Sequence, residues 1–274
     1  MSLLWRDRIQ AFVAAGQVVL SRSSRGLKPK AATRISVRCE PRPGGSAWEA
    51  PLAQLEQMVA GSDGAEMVIT LSNRFVRYAV LPAQKNIANP VELNAYAEFH
   101  MREIYGERMT RWVLGISAWD PRSGGVCAAI EQGLAERLEE FATRHKIRLK
   151  YVEPYFTVEF DRSHKRLNGN RAWFALVETG CFCFALLDNG IWQRISSRRI
   201  MHVTGDELIT VLDQEAVLFS VRREAIETVH LCAPEHPELA FSEGCGWQVI
   251  SLQSGKKPMP SHYPSAAIGV AGKN

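Results

Sequence analysis

The 274-residue sequence predicts an α/β protein of two similar lobes. Three observations predict it. Strand-like alternation and helix-like apolar stripes follow one another along the chain. The order strand–strand–strand–helix–strand (βββαβ) occurs twice, although the letters do not repeat. Between the two occurrences stands further α/β pattern that belongs to neither.

The first unit begins with Ile9 to Ala14 and Gln17 to Arg22, two alternating runs on either side of Gly16 that read as a hairpin. A loop of Ser, Gly, Lys and Pro over Ser23 to Lys30 leads to a third strand, Thr33 to Cys39. PRPGGS breaks the pattern, and Trp48 to Ala60 then sets Trp48, Leu52, Leu55, Met58 and Val59 on one helical stripe. Glu66 to Leu71 is the closing strand. The stretch LSNRFVRYAVLP (Leu71 to Pro82) follows and is predicted to be a strand from Phe75 to Leu81. Phe75, Arg77, Ala79 and Leu81 share one face; Val76, Tyr78 and Val80 share the other. Both faces are mostly apolar, so the strand is expected to be covered on both, with Arg77 at a rim or paired.

In the intervening stretch, Asn89-Pro90-Val91-Glu92 is a helix start, with Asn as the cap and Pro at the first helical position. Leu93, Ala97, His100, Met101 and Ile104 mark its expected buried side, and Gly106 its end. Arg111 to Ala118 and Val126 to Ile130 read as a strand pair around PRSGG. Gly133 to His145 is an amphipathic helix with Leu134, Leu138, Phe141 and Ala142 inward. Ile147 to Val152 is a strand, and Pro154 begins a linking helix.

The second unit has strands at Ala172 to Glu178, Cys181 to Leu187 and Ile191 to Arg198. Asp188-Asn189-Gly190 supplies the turn signal of a hairpin. Thr204 and Glu207 form a capping-box pattern ahead of a helix to about Ser220, with Leu208, Val211, Leu212, Leu218 and Phe219 as its apolar stripe. Glu227 to Cys232 closes the unit. The tail after Leu252 is rich in Lys, Pro, Ser and Gly and is expected to be disordered. The expected organisation is a first lobe over 1–152 with an inserted subdomain at about 74–150, a second lobe over 153–252, and a flexible tail over 253–274.

Composition narrows the function classes. With 46% hydrophobic and 23% charged residues the chain buries a sizeable core. Its net charge of +4 is spread out, with no run of five basic residues, which argues against wholesale binding to nucleic-acid phosphate. The six cysteines are scattered without a CxxC pair and read as buried thiols of a reduced, cytoplasmic protein. Cys181 and Cys183 share a strand face, but nothing is spaced beside them to complete a zinc site. No 18-residue apolar run predicts a membrane span, and Gln10, Gly16 and Gln17 interrupt what would otherwise pass for a weak signal peptide. The seven histidines show no ligand spacing; His100 is expected to be a hydrogen-bonded core residue, and His145 and His164 lie near helix ends. No GxSxG, P-loop or HExxH is present. Trp173 and Trp192 read as core. Two arginine-rich phrases, Arg162–Lys165–Arg166 and Arg194–Arg198–Arg199, are either solvated faces or contacts for an acidic partner or membrane surface.

The phrases LSNRFVRYAVLP, NPVELNAYAEFHMREIYG with Trp112 soon after, and VEPYFTVEFDR before RAWFALVETGCFCFALLDNGIWQ resemble those of an actin-like family. The two βββαβ halves, RNase H-like lobes with an inserted subdomain in the first, are the plan of the actin-like ATPase superfamily. More narrowly, the chain resembles the PilM-like and GspL-like cytoplasmic assembly proteins of type IV pili and type II secretion, over most of residues 1–252. The resemblance implies a scaffold at the inner membrane, docked through a bitopic membrane protein and coupled to an assembly ATPase. GspL-like members carry a membrane helix after the actin-like part. Without one before Asn274, the chain looks more like the PilM arrangement.

The resemblance also implies where ATP and Mg²⁺ would sit: between two hairpins, each with an acidic residue and small turn residues. The first, FVAAGQVVL, has Ala14 and Ala15 where the acid and its neighbour are expected. The second keeps Glu178, Thr179 and Gly180, which stand either as half of a degenerate nucleotide site or as an ordinary turn. Cys232-Ala233-Pro234-Glu235 replaces the adenosine-binding glycine pair. The expectation is therefore a non-catalytic protein with no cofactor, against the alternative of an actin-like ATPase or small-molecule kinase relative. Arg74, Phe75, Arg77 and Tyr78 are the candidates for partner binding, with the alternative that the two arginines brace subdomains.

Overall fold

The computed structural model describes residues 7–23, 33–40, 44–117, 119–167, 171–218, 228–242, 244–252 and Ile268. Strands β1 (Arg8–Ala14), β2 (Gln17–Ser23) and β3 (Thr33–Arg38) form an antiparallel meander. Ile9, Ala11 and Val13 point inward on alternate positions of β1, as period-2 patterning requires. Gly16 turns the first hairpin without a positive φ, so its glycine is not a conformational necessity there. Helix α1 (Glu49–Met58) buries Leu52 and Leu55 and returns the chain to β4 (Glu66–Leu71), which runs parallel to β1.

The chain then leaves this sheet. Strand β5 (Val76–Leu81), helix α2 (Pro90–Tyr105), a 3₁₀ segment Gly106–Arg111, β6 (Trp112–Ile116) and β7 (Gly125–Glu131) build a separate antiparallel sheet of order β5-β7-β6. Asn89 caps α2 as expected, its side chain accepting from the Val91 and Glu92 amides. The stripe of α2 is narrower than expected: Ala97 and Met101 are buried, His100 is half-buried beside Glu103, and Ile104 is 57% exposed.

Helix α3 (Gln132–Arg144) turns Leu134, Leu138 and Phe141 into the core of the first sheet, and β8 (Arg148–Pro154) joins that sheet parallel to β4. Helix α4 (Tyr155–Ser163) leads to β9 (Arg171–Glu178), β10 (Cys181–Asp188), β11 (Ile191–Arg199), α5 (Gly205–Leu218), β12 (Thr228–Cys232) and β13 (Gln248–Ser251). The sheet orders are β3-β2-β1-β4-β8 and β11-β10-β9-β12-β13, so the two halves share one topology. Each sheet has five strands. The sequence units end at the fourth, because the partner of β8 is chosen across a long insertion and β13 is only four residues long.

The near-continuous apolar runs of β9 and β10 have a simple cause: both faces are covered. Phe174, Leu176, Cys183 and Ala185 join the core shared with the first lobe, while Trp173, Val177, Phe182 and Phe184 pack under α5. Helix α4 is the wedge between the lobes. Phe156 and Phe160 meet Phe174 at 5.1 and 5.3 Å between ring centroids, and Phe160 lies 4.2 Å from Trp192.

The stripe of α5 also differs from expectation. Leu208, Ile209, Leu212 and Ala216 are buried, whereas Leu218 is 67% exposed and Phe219 lies outside the described residues, as do Ser220 and Glu227. The buried carboxylate of Glu215, held by Arg198 and flanked by Arg194, sets the helix rotation instead. Only half of the capping box forms. Thr204 Oγ1 accepts from the Glu207 amide, but the Glu207 carboxylate takes the Met201 and His202 amides. Most of the expected tail lies outside the described residues, yet Ile268 is not free: it is 2% exposed and its amide donates to the Val152 carbonyl at the edge of β8.

A side chain at position 205 has no room. A Cβ on Gly205 would stand 2.2 Å from the Ala240 carbonyl oxygen. Gly205→Ala is expected to destabilise the protein by about 1–3 kcal/mol, through displaced backbone rather than lost propensity, and a shift of the urea midpoint measures it.

Candidate functional site

The loop between β4 and β5 carries Asn73, whose residue is wholly buried. Its position follows from Leu71 ending β4 and Phe75 starting the crossing to the insert, which turns Ser72-Asn73 toward the second lobe. The Asn73 amide donates to Glu178 Oε1 at 3.0 Å, and its Nδ2 donates to the same oxygen. Asn73 Oδ1 accepts from the Tyr78 hydroxyl at 2.6 Å and from the Phe156 amide at 3.0 Å. One side chain thus joins the first lobe, the insert, the linking helix and the second hairpin. Both its Oδ1 and its Nδ2 are engaged, as a buried amide requires.

Glu178 is 2% exposed. Burial pushes its carboxyl up to about 7, with the nearby Glu235 also raising it and hydrogen bonds from Ser72 and Asn73 opposing. The Tyr78 hydroxyl is raised by the same burial. Thr179 and Gly180 belong to the turn: Gly180 holds a φ of 76°, and Thr179 donates from its amide (3.2 Å) and its hydroxyl (2.9 Å) to Glu235.

Glu235 is the residue that the sequence did not single out for a role. Its other oxygen accepts from Gln17 Nε2 at 2.8 Å, so its carboxylate spans the two hairpins. The gap in which actin-like relatives are expected to hold phosphate therefore contains a carboxylate of the chain itself. An incoming phosphate would meet a like charge and would have to break three hydrogen bonds. Both acids of the region, Glu178 and Glu235, are occupied by internal donors.

The candidate partner residues divide. Tyr78 is interior, Phe75 is 7% exposed at a rim, Arg74 is half-buried, and Arg77 is exposed. Strand β5 is an edge of its sheet, but that edge is already capped: the Tyr105 hydroxyl donates to the Tyr78 carbonyl (2.9 Å) and accepts from its amide (3.3 Å), and Arg77 Nη1 donates to the Val76 carbonyl. Two clefts flank it. An open groove of about 1180 Å³ runs between the insert and α3, with Arg77, Ile104, Arg108, Trp112 and Glu136 in its walls. A smaller cleft of about 500 Å³ lies where the insert and β11 meet, lined by Trp48, Arg74, Phe75, Arg77, Gly180 and Arg199. Among the described residues, no cluster of His, Cys, Asp or Glu is arranged to hold a metal ion, and no helix is long and apolar enough to cross a membrane.

No protein-family model matches the chain, and no curated protein matches it. Solved structures do. The PilM–PilN type IV pilus biogenesis complex matches with a TM-score of 0.62 at 14% identity over 89% of this chain and 88% of that one. The cytoplasmic domain of EpsL, an inner-membrane component of the type II secretion system of Vibrio cholerae, matches with a TM-score of 0.54 at 9% identity over 90% of both chains. A Bacteroides thetaiotaomicron protein of actin-like ATPase fold and unknown function matches with a TM-score of 0.52 at 14% identity, over 83% and 82%.

Two predictions follow from the buried node. Asn73→Ala leaves the Tyr78 hydroxyl and the Phe156 amide without their partner and removes one of the donors to the Glu178 carboxyl, which keeps the backbone amide of residue 73; a loss of about 3–5 kcal/mol in denaturant unfolding is expected. Burial raises the carboxyls of both Glu178 and Glu153 from 4.5 to about 7. The native state therefore holds more protons than the unfolded chain between these values, and stability falls as pH rises from about 4.5 to 7. Glu178→Gln removes one of the two contributions. Unfolding at pH 5 and pH 8 is expected to move in favour of the variant by up to about 3 kcal/mol at the higher pH. Taken together, the paired five-stranded sheets, the insert after β4 and the three structural likenesses show that this chain has the two-lobed actin-like ATPase fold.

Proposed function

We propose that the chain is a non-catalytic scaffold of a type IV pilus or type II secretion-like assembly platform. In this reading it works in the cytoplasm, held at the inner membrane by the cytoplasmic segment of a bitopic partner, with an assembly ATPase as a further contact. The single observation that carries the reading is the Glu235 bridge: the gap between the hairpins is closed by the chain's own carboxylate, while a groove elsewhere stands open. The fold shared with PilM and with the EpsL cytoplasmic domain supports the choice of machine.

The groove between the insert and α3 is the proposed seat of the partner segment. Ile104 and Trp112 offer apolar surface there, and Arg77, Arg108 and Glu136 offer charges of both signs. A short helix or an extended segment anchored by a few apolar side chains suits such a groove. Addition of a strand to β5 does not, because Tyr105 and Arg77 cap that edge. Of the residues expected to bind the partner, Arg77 keeps that role, Arg74 and Phe75 line the adjoining cleft, and Tyr78 supports from within.

The test uses the full chain and a fluorescent peptide of the cytoplasmic segment of the bitopic membrane protein encoded nearest to it. Saturable binding is expected, with Arg77→Glu weakening it about tenfold or more at an unchanged thermal midpoint. Incubation of the purified chain with ATP and Mg²⁺ is expected to release no phosphate. ATP turnover by the purified chain, with no peptide binding, would replace the scaffold by the nucleotide-binding enzyme.

A further inference from the structure

The cleft between the insert and β11 holds a charge arrangement that neither the fold nor the partner groove requires. Arg74 comes from the loop after β4, Arg77 from β5 and Arg199 from the end of β11. Among the described residues none of the three guanidinium groups has a carboxylate partner; Arg77 donates only to the Arg74 and Val76 carbonyls. The neighbouring Arg198 differs, being tied to Glu215. The one acid in the lining, Glu131, already accepts from the Trp48 indole at 2.9 Å. Three cations without an ion-pair partner, from three segments, therefore face one small space that holds a single carboxylate.

The floor is shaped for close approach. Gly180 has no side chain, and a Cβ there would stand 3.6 Å from Arg74 Nη1, so the guanidinium lies over bare backbone. Cys181 beside it is buried, its thiol bonded to the Ser197 hydroxyl. Trp48 and Trp112 supply aromatic wall. Guanidinium forks match the oxygens of phosphate two at a time, and several converging on one site favour a ligand carrying more than one negative charge. The volume of about 500 Å³ is that of a small-molecule pocket and not of a peptide channel. The cleft borders the gap that Glu235 closes, sharing Asn73 and the turn residue Gly180, but Gln17, Thr179 and Glu235 do not line it.

We infer that Arg74, Arg77 and Arg199 form a binding site for a small phosphorylated molecule, a phosphate ester or diphosphate, seated between the insert and the second lobe. Such a ligand would tie the insert to β11 by charge, whether or not a partner segment lies in the neighbouring groove.

The experiment is calorimetry of the full chain with inorganic pyrophosphate, with citrate and a tetra-aspartate peptide as competitors, at low and moderate salt. Saturable binding of pyrophosphate that weakens with salt is expected. Arg74→Ala and Arg199→Ala should each weaken it about tenfold or more. Arg137→Ala, which removes the same charge from α3 outside the cleft, should leave it unchanged. Thermal midpoints without ligand establish that each variant is folded. Absence of saturable binding overturns the site, as does an equal loss in Arg137→Ala. Citrate binding as tightly as pyrophosphate overturns the phosphate assignment, and tighter binding of the tetra-aspartate peptide reassigns the cleft to an acidic protein segment. None of these outcomes depends on the peptide seated in the groove.

Discussion

The Asn73–Glu178 contact is the constraint on which the arrangement of the lobes depends. Residues 105 positions apart in the chain meet where no water is available to either, so each must be satisfied by the other. The same asparagine receives the Tyr78 hydroxyl from the insert and the Phe156 amide from the start of α4. Three parts of the molecule are thus registered against one side chain. A purely apolar interface would have allowed sliding; a network with directional partners does not.

Around that node the two lobes use related loops for opposite purposes. The loop after β4 sends Asn73 to the second hairpin, and the loop after β12 sends Glu235 to both hairpins. Equivalent places in the two halves are therefore occupied by the chain's own polar groups. The gap between the hairpins, where a ligand was expected, is bridged by Glu235. Open space is found instead on the side of the insert, where arginines and aromatic residues gather. Chemistry follows from which side chains face the open space, and the shared fold does not decide that.

Much of the architecture was legible in the letters. The Asn189-Gly190 turn adopts positive φ at both residues, Asn89 caps α2, and the stripe of α3 is buried as its spacing requires. Each of these is decided within a few residues. The stripes of α2 and α5 were misjudged at Ile104 and Leu218, because an apolar residue on a helical stripe is buried only if another element arrives to cover it. The internal partners of Glu178 and Thr179, Asn73 and Glu235, were not legible in the letters, and Tyr78, expected to touch a partner, is interior.

What the sequence by itself determined is the local alphabet: which runs are strands, which are helices, where they cap and turn, and that one order of elements occurs twice. Tertiary structure alone decided that β8 and β13 complete the sheets, that Ile268 meets Val152, and that Glu235 closes the gap between the hairpins. The reason is physical. Strand and helix preferences arise from backbone sterics and apolar period over a few residues. A hydrogen bond from Thr179 to Glu235 joins residues 56 apart, and it exists only because β9 and β12 lie side by side in parallel.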